Sequence, residues 1–420
     1  MTMTEFLSSA ELLAQVENEE ALSLVDTYLM RNYGSPKDVV VSGNGSYLRT
    51  ASGREILDFV SGIAVCSLGH APDVVAEAIS EQSHKLIHTS NYFANEIAPK
   101  VAFLIDTLIR GTSAKDDNQG RVFFSNSGAE SVEAAIKLAR RIKGPSATKV
   151  VALNGAFHGR TLGALSATGQ PSKQIAFEPL VPGFIHVDDK DIYAVETAFK
   201  GGDVCAFITE PILGEAGIYP TSSDFIHQVH SLCQQYGVLF IVDEVQCGFG
   251  RTGTWFAHQR WGILPDIITL AKSIASGYPV GATWARGEYG RAFLPGDHGS
   301  TFGGSPLAMA SALATISALI DADACGMATT MGKLLRDGLS NLDGVKEIRG
   351  EGLLLGVELE DSIAGQLGEM TFARGLFVNV IGDYILRLAP PLTVNAQEIE
   401  HAISIISDCL STLRYSITTI

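Results

Sequence analysis

Between Val238 and Gly277 the chain reads VLFIVDEVQCGFGRTGTWFAHQRWGILPDIITLAKSIASG, and no other stretch limits the possible folds as strongly. Two apolar runs, VLFIVDE and DIITLAK, are each bounded by loop residues. That is the pattern of interior strands of a parallel sheet, which are covered on both faces. The first run ends in Asp243 and Glu244, the second in Lys272. Ligands of parallel sheets sit beyond the carboxyl ends of the strands, so Asp243 and Lys272 are expected to face one crevice from neighbouring strand ends. A lysine after a strand is more commonly a solvated loop residue. The carboxylate at the adjacent strand end is what turns this one towards chemistry.

The surrounding sequence repeats the unit of strand, glycine-containing loop and helix. RVFF, KVVAL (149–153) and CAFITEP (205–211) read as further strands. AESVEAAIKLARRIKG and SDFIHQVHSLCQQYG carry helical spacing, the former stopped by Gly144-Pro145. Alternation of this kind predicts an α/β domain on a mostly parallel sheet. Ahead of it, residues 1–30 look helical, and VVVSGNGSYLRTASGREILDF reads as short antiparallel strands broken at 42–45 and 51–53. DVVAEAISEQSHKL reads as an amphipathic helix, and PLAMASALATISALIDA as a long helix leading out of the domain. After Asp343, GVKEIRGEGLLLGVELE, LFVNV and YILRLAP resemble antiparallel strands, closed by a helix over AQEIEHAISIISDCLSTL. The expected division is an N-terminal segment, 1–60, that joins a small domain; a large domain, 61–305; and a linking helix with a C-terminal small α+β domain, 306–420.

A 420-residue chain can bury a large core. Its formal net charge of −16 argues against nucleic acid or an anionic membrane as a partner. No apolar run approaches the roughly 20 residues needed to span a bilayer. The acidic start MTMTEFLSSAELLAQVENEE has neither a secretory apolar segment nor an arginine-rich transit pattern. Cys66, Cys205, Cys233, Cys247, Cys325 and Cys409 are scattered without a CxxC pair, as in reduced thiols of the cytoplasm. A soluble cytoplasmic protein without a metal site is the expectation.

Ser125-Asn126-Ser127-Gly128-Ala129-Glu130 lies between a strand and a helix, where free amides at the positive helix end suit a phosphate. The same residues also make an ordinary N-cap. GFGRTG (248–253) fits the dinucleotide pattern GxGxxG but is followed by polar TGTW rather than a helix, and no acid stands about 20 residues further on. Ala271-Lys272-Ser273 lacks the glycines of a P-loop. There is no GxSxG elbow and no HExxH helix. Phe157-His158-Gly159-Arg160 follows another strand. An aromatic beside an arginine suits stacking on a flat ring and gripping a carboxylate, whereas His158 reads first as a hydrogen-bonded structural residue. Glu215 and Arg387 are, on their own, indistinguishable from surface charges.

Taken together, NYG (32–34), SGIAVCSLGH, KLIHTSNYF, FSNSGAESVEAAIKLAR, FHGRTLGALSATG, EPILGEAG, FIVDEVQCGFGRTG, AKSIASGYPVGA, GSTFGGSPLA and RLAPPL resemble the class III (ω-amino acid) aminotransferases. The match runs over nearly the whole chain, and within the family it is nearest to the acetylornithine aminotransferases. The resemblance implies the type I aminotransferase fold, pyridoxal 5'-phosphate as cofactor and a homodimer with shared active sites. It makes Lys272 the covalent anchor of the cofactor and the base for the proton shift. It places Asp243 on the ring nitrogen, Gln246 on the ring's phenolic oxygen, and Phe157 and Val245 on the ring faces. Ser127, Gly128 and Ala129 would hold the phosphate, which Thr301 of the neighbouring subunit would also reach. Arg160, Ser300 and Tyr33 match positions that touch substrate. Glu215 would pair with Arg387 while an ω-amine donor is bound and release it to the α-carboxylate of glutamate.

The implied reaction moves the δ-amino group of N-acetylornithine to 2-oxoglutarate. Succinylornithine, ornithine, 4-aminobutyrate and lysine-pathway amines are the alternatives within the family, an aminomutase the one outside it. Ile63 stands where ornithine aminotransferases place a tyrosine that grips a free α-amino group, which favours a blocked amine. Two positions depart from the usual pattern: Ser305 replaces an asparagine after GSTFGG, and Ser131-Val132 replaces Ala-Asn.

Overall fold

The computed structural model describes residues 18–112 and 116–418. A helix, Asn18–Tyr28, opens the described chain, and the helical expectation for residues 1–17 lies outside it. Three short strands follow, β1 (Val40–Asn44), β2 (Tyr47–Thr50) and β3 (Glu55–Asp58), each antiparallel to the next. The first strand runs through Ser42 to Asn44, where a break was expected: Ser42, Gly43 and Asn44 pair with Arg49, Leu48 and Tyr47, and the chain turns only at Gly45, at φ +54.

The large sheet holds β4 (Arg121–Ser125), β5 (Lys149–Leu153), β6 (Phe184–Val187), β7 (Val204–Thr209), β10 (Leu239–Asp243), β11 (Ile267–Leu270) and β12 (Gly281–Ala285); a hairpin, β8 (Ile212–Leu213) and β9 (Tyr219–Pro220), lies apart. Its order is β4-β12-β11-β10-β7-β5-β6, with β12 antiparallel to both neighbours. All other pairings are parallel, so the other strands share one carboxyl edge. The central strands are apolar on both sides for a visible reason. Leu239 and Ile241 pack with Val132, Ala135 and Ala139 of the helix Gly128–Lys143. Phe240 and Val242 face Phe225, Ile226 and Val229 of the helix Ser223–Tyr236. Val132, one of the two departures from the family pattern, is fully buried in the first of these layers, and the Ser131 hydroxyl donates to the Gly128 carbonyl at 2.7 Å.

The C-terminal part adds β13 (Val345–Glu351), β14 (Leu354–Leu359), β15 (Leu376–Phe377), β16 (Asn379–Ile381) and β17 (Ile385–Leu388). Four of these form an antiparallel sheet in the order β13-β14-β17-β16. LFVNV, expected as one antiparallel strand, is two. Val378 interrupts it, and β15 pairs in parallel with β3, Leu376 opposite Leu57, which ties the two ends of the chain together. No single described helix is long and apolar enough to cross a membrane. The bent pair Pro306–Asp321 and Ala324–Ser340 passes by length and composition only, and its Met309, Ile316, Leu319, Leu335 and Leu339 are buried in the core.

Candidate active site

A cavity of about 380 Å³ opens at the shared carboxyl edge of the large sheet. Parallel pairing of β10 with β11 sets Asp243 opposite Thr269, three residues before Lys272, and both Asp243 and Lys272 line the cavity. Asp243 is buried, and both its oxygens have partners. One accepts from the Thr269 hydroxyl at 2.9 Å and the Val245 amide at 3.1 Å; the other bonds His158 Nδ1 at 2.7 Å. A carboxylate held by several donors is fixed in position. Lys272 sits at φ +47, a conformation costly for a side chain with a Cβ and one that collects at functional sites. Burial first, then the Arg387 charge, pushes its amine below the usual lysine value, against Glu215, Glu210 and Asp243. Its neutral, nucleophilic form is thereby more abundant than in water.

At one end of the cavity the Ser127 side chain caps the helix Gly128–Lys143 by accepting from the Glu130 amide at 3.2 Å. The N-cap reading of this loop is therefore correct, and it coexists with a second property. The first amides of the helix have no intrahelical partner and face the cavity lined by Ser127, Gly128 and Ala129. Gly128 is required there, since a Cβ would stand 2.9 Å from Val245 Cγ1. Phe157, Val245 and Gln246 line the same space, and the Gln246 amide oxygen has no partner among the described residues.

The other end joins two sheets. The hairpin of β8 and β9 carries Glu215 in its turn, while Arg387 projects from β17, opposite Gly356 of β14. Gly356 lets the hairpin approach, since a Cβ would lie 2.8 Å from the Gly217 carbonyl. Arg387 Nη1 donates to Glu215 Oε1 at 2.5 Å; the arginine side chain is 3% exposed and the glutamate 25%. Burial works to raise Glu215, but the charge and hydrogen bond of Arg387 prevail, helped by Lys272 and Lys173, and hold it below the usual carboxylate range. Arg160 lines the cavity with its guanidinium 5.5 Å from the Phe157 ring centre.

Three residues named from the sequence stand away from this cavity within one chain. Tyr33 is 95% exposed. Ser300 and Thr301 line a separate surface recess with Asn126, Glu130 and Phe302, and the Ser300 hydroxyl accepts from Asn126 Nδ2 at 3.2 Å. Of two further residues inside the cavity, His158 is the hydrogen-bonded structural residue expected, whereas Glu210 had not been singled out. His158 is the buried partner of Asp243. Glu210 follows β7 as Asp243 ends β10, so the strand-end argument applied to it equally. Burial, opposed by His158 and reinforced by Asp243, raises Glu210 to about 7.

A lysine of depressed pKa, a fixed buried carboxylate and a helix N-terminus around one cavity match a known family. Residues 28–410 fit the model of the family described as aminotransferase class-III. The chain is a class III aminotransferase. It is 45% identical over 393 residues to an acetylornithine aminotransferase of Methanopyrus kandleri, covering 93% of this chain and 99% of that one. An acetylornithine aminotransferase of Corynebacterium efficiens is 41% identical, with 94% and 98% covered. Among solved structures, the ornithine aminotransferase of Toxoplasma gondii superposes with a TM-score of 0.89 at 31% identity over 99% of this chain and 100% of that chain. An acetylornithine aminotransferase from Elizabethkingia anophelis gives 0.81 at 32% identity, covering 94% and 99%. The fold is thus the type I aminotransferase fold, as the sequence motifs implied.

The cofactor of the family is pyridoxal phosphate, and a second structure of the Toxoplasma enzyme describes its partial occupancy at the active site. The cavity here fits such a group. It offers a lysine amine, the amides of a helix N-terminus, apolar and aromatic walls, a buried carboxylate and an unmatched amide oxygen.

Proposed function

We propose that this enzyme transfers the δ-amino group of N-acetylornithine to 2-oxoglutarate, giving N-acetylglutamate 5-semialdehyde and glutamate. The observation that carries this reading is the Glu215–Arg387 pair at the rim of the cavity that holds Lys272. An ω-amine donor brings no carboxylate to the reacting carbon, and Arg387 would then be stranded in a desolvated site. Glu215 neutralises it. Glutamate brings an α-carboxylate to the same place and needs Arg387 free, with Arg160 available for its distal carboxylate. Relatives bearing the acetylornithine aminotransferase name over nearly the whole chain support the same choice of donor. Ile63 supports it too, having no hydroxyl for a free α-amino group.

Lys272 would hold the cofactor covalently, Ser127, Gly128 and Ala129 its phosphate through backbone amides, and Asp243 a proton on its ring nitrogen. Phe157 and Val245 would fix the ring plane, with Gln246 at its oxygen. Bound there, pyridoxal phosphate supplies an electron sink for the carbon that loses its proton. Lys272 Nζ, once released, is the group placed to take that proton and return it. His158 keeps the Asp243 carboxylate oriented, and Arg160 and Arg387 orient the substrate.

We also read the enzyme as a cytoplasmic homodimer with shared sites. Exposed Leu86, Ile87, Tyr92, Phe93 and Phe302 cluster where His88 meets Phe302 and Asn91 bonds the Ser300 carbonyl. An apolar patch of that kind suits a second copy of the chain, to which Thr301 would reach. The donor reading is tested by offering the holoenzyme acetylornithine, succinylornithine, ornithine and 4-aminobutyrate with 2-oxoglutarate and measuring glutamate. Acetylornithine should have the highest kcat/KM; a clear preference for another amine overturns the reading.

A further inference from the structure

Glu215 has a second cation beside it. Lys173, from the short helix Pro171–Gln174, places Nζ 3.9 Å from Glu215 Oε2, the oxygen that Arg387 does not use. The Lys173 side chain is 21% exposed. Its ammonium lies 5.2 Å from the Phe157 ring centre, beside Arg160, and donates to the Gln170 side-chain oxygen. Lys173 is thus held beside Glu215, at the long end of ion-pair range.

We propose that Lys173 is the receiving site for Glu215 when glutamate or 2-oxoglutarate takes Arg387, and so sets the balance between the two substrates. This rests on the proposed alternation of Glu215. Charge counting makes the case. With acetylornithine bound, Glu215 and Arg387 neutralise one another and the donor's carboxylate meets Arg160. With glutamate bound, two substrate carboxylates occupy Arg160 and Arg387, and Glu215 becomes an uncompensated anion in a partly desolvated site unless another cation is at hand. Lys173 is that cation, already at 3.9 Å, and a small movement of the Glu215 carboxylate closes the pair. Burial first, then Arg160 and Arg387, push the Lys173 amine below the usual lysine value, while Glu215 opposes them; moving Glu215 closer and neutralising both arginines with substrate strengthens the ammonium form.

The test is Lys173→Met in the holoenzyme, with KM and kcat for each half-reaction and the binding of glutarate, a five-carbon dicarboxylate that cannot react. The dissociation constant of glutarate and the KM for glutamate should rise about two- to fivefold, the scale of one partly exposed ion pair. The KM for acetylornithine should stay unchanged, and Lys173→Arg should restore the dicarboxylate side. In a Glu215→Gln background, the Lys173→Met substitution should have no further effect on glutarate. Equal weakening of both substrates, no effect on glutarate, or an effect that persists in Glu215→Gln each overturns the proposal, the last by showing that Lys173 holds the dicarboxylate directly. If acetylornithine proves not to be the donor, the donor assignment falls, while glutarate binding still decides the role of Lys173.

Discussion

Replacing Asp243 by Asn probes the centre of the site with almost no change of shape. The Asn oxygen can keep the bonds from the Thr269 hydroxyl at 2.9 Å and the Val245 amide at 3.1 Å. Its nitrogen would face His158 Nδ1 at the former 2.7 Å contact, which the imidazole accommodates by moving its proton to Nε2, an atom with no partner among the described residues. Packing is therefore kept and only the buried charge is lost. Removing one partner of a buried charge pair costs about 3–5 kcal/mol. At 1.36 kcal/mol per decade, that is a fall of about a hundred- to several thousand-fold in the half-reaction rate. Single-turnover absorbance measurements on cofactor-saturated variant separate this from weakened cofactor binding. A loaded variant that turns over near the wild-type rate would remove Asp243 from its role.

Other outcomes follow from the same geometry. Glu215→Ala should leave glutamate turnover equal or improved, and slow the acetylornithine half-reaction about 10- to 100-fold by stranding Arg387. Arg387→Ala should do the reverse, and stopped-flow measurement of each half-reaction separately would expose equal losses in both, which the pairing does not allow. His70, bonded through Nε2 to Asp58 Oδ2 at 2.9 Å, has its pKa raised to about 9 by the Asp58 and Cys66 hydrogen bonds, which outweigh burial. A histidine raised in the folded state stabilises it fully below the unfolded value, about 6.5, and loses that contribution as pH rises through 9. Tm should accordingly fall between pH 6.5 and 9 in the wild type and fall less in His70→Gln; identical pH profiles would refute the linkage.

How much of this was legible beforehand depended on the range over which each signal acts. The central strands announced themselves because each is buried on both faces; strand ends made Asp243 and Lys272 neighbours, and the motifs around them supplied their roles. β12 was missed because GATWA sits between antiparallel neighbours without the helix that normally separates parallel strands. The second strand of the large sheet left unforeseen was β6, FIHV, which is mostly half-buried and at the sheet edge, so its apolar run is short. Glu215 and Arg387 lie 172 residues apart, one in a hairpin turn and one on a strand of another sheet, and nothing local marks either. Only the resemblance of their flanking motifs joined them. Lys173 carried no signal at all. Its position depends on a turn of helix packed over Phe157, a tertiary fact.

The most direct measurement is borohydride reduction of the purified, cofactor-loaded protein followed by peptide mass mapping. The reductant fixes the cofactor to whichever lysine holds it. The geometry at the ends of β10 and β11 predicts one adduct, on Lys272. An adduct on another lysine, or none in protein saturated with pyridoxal phosphate, would contradict the assignment of this cavity as the active site.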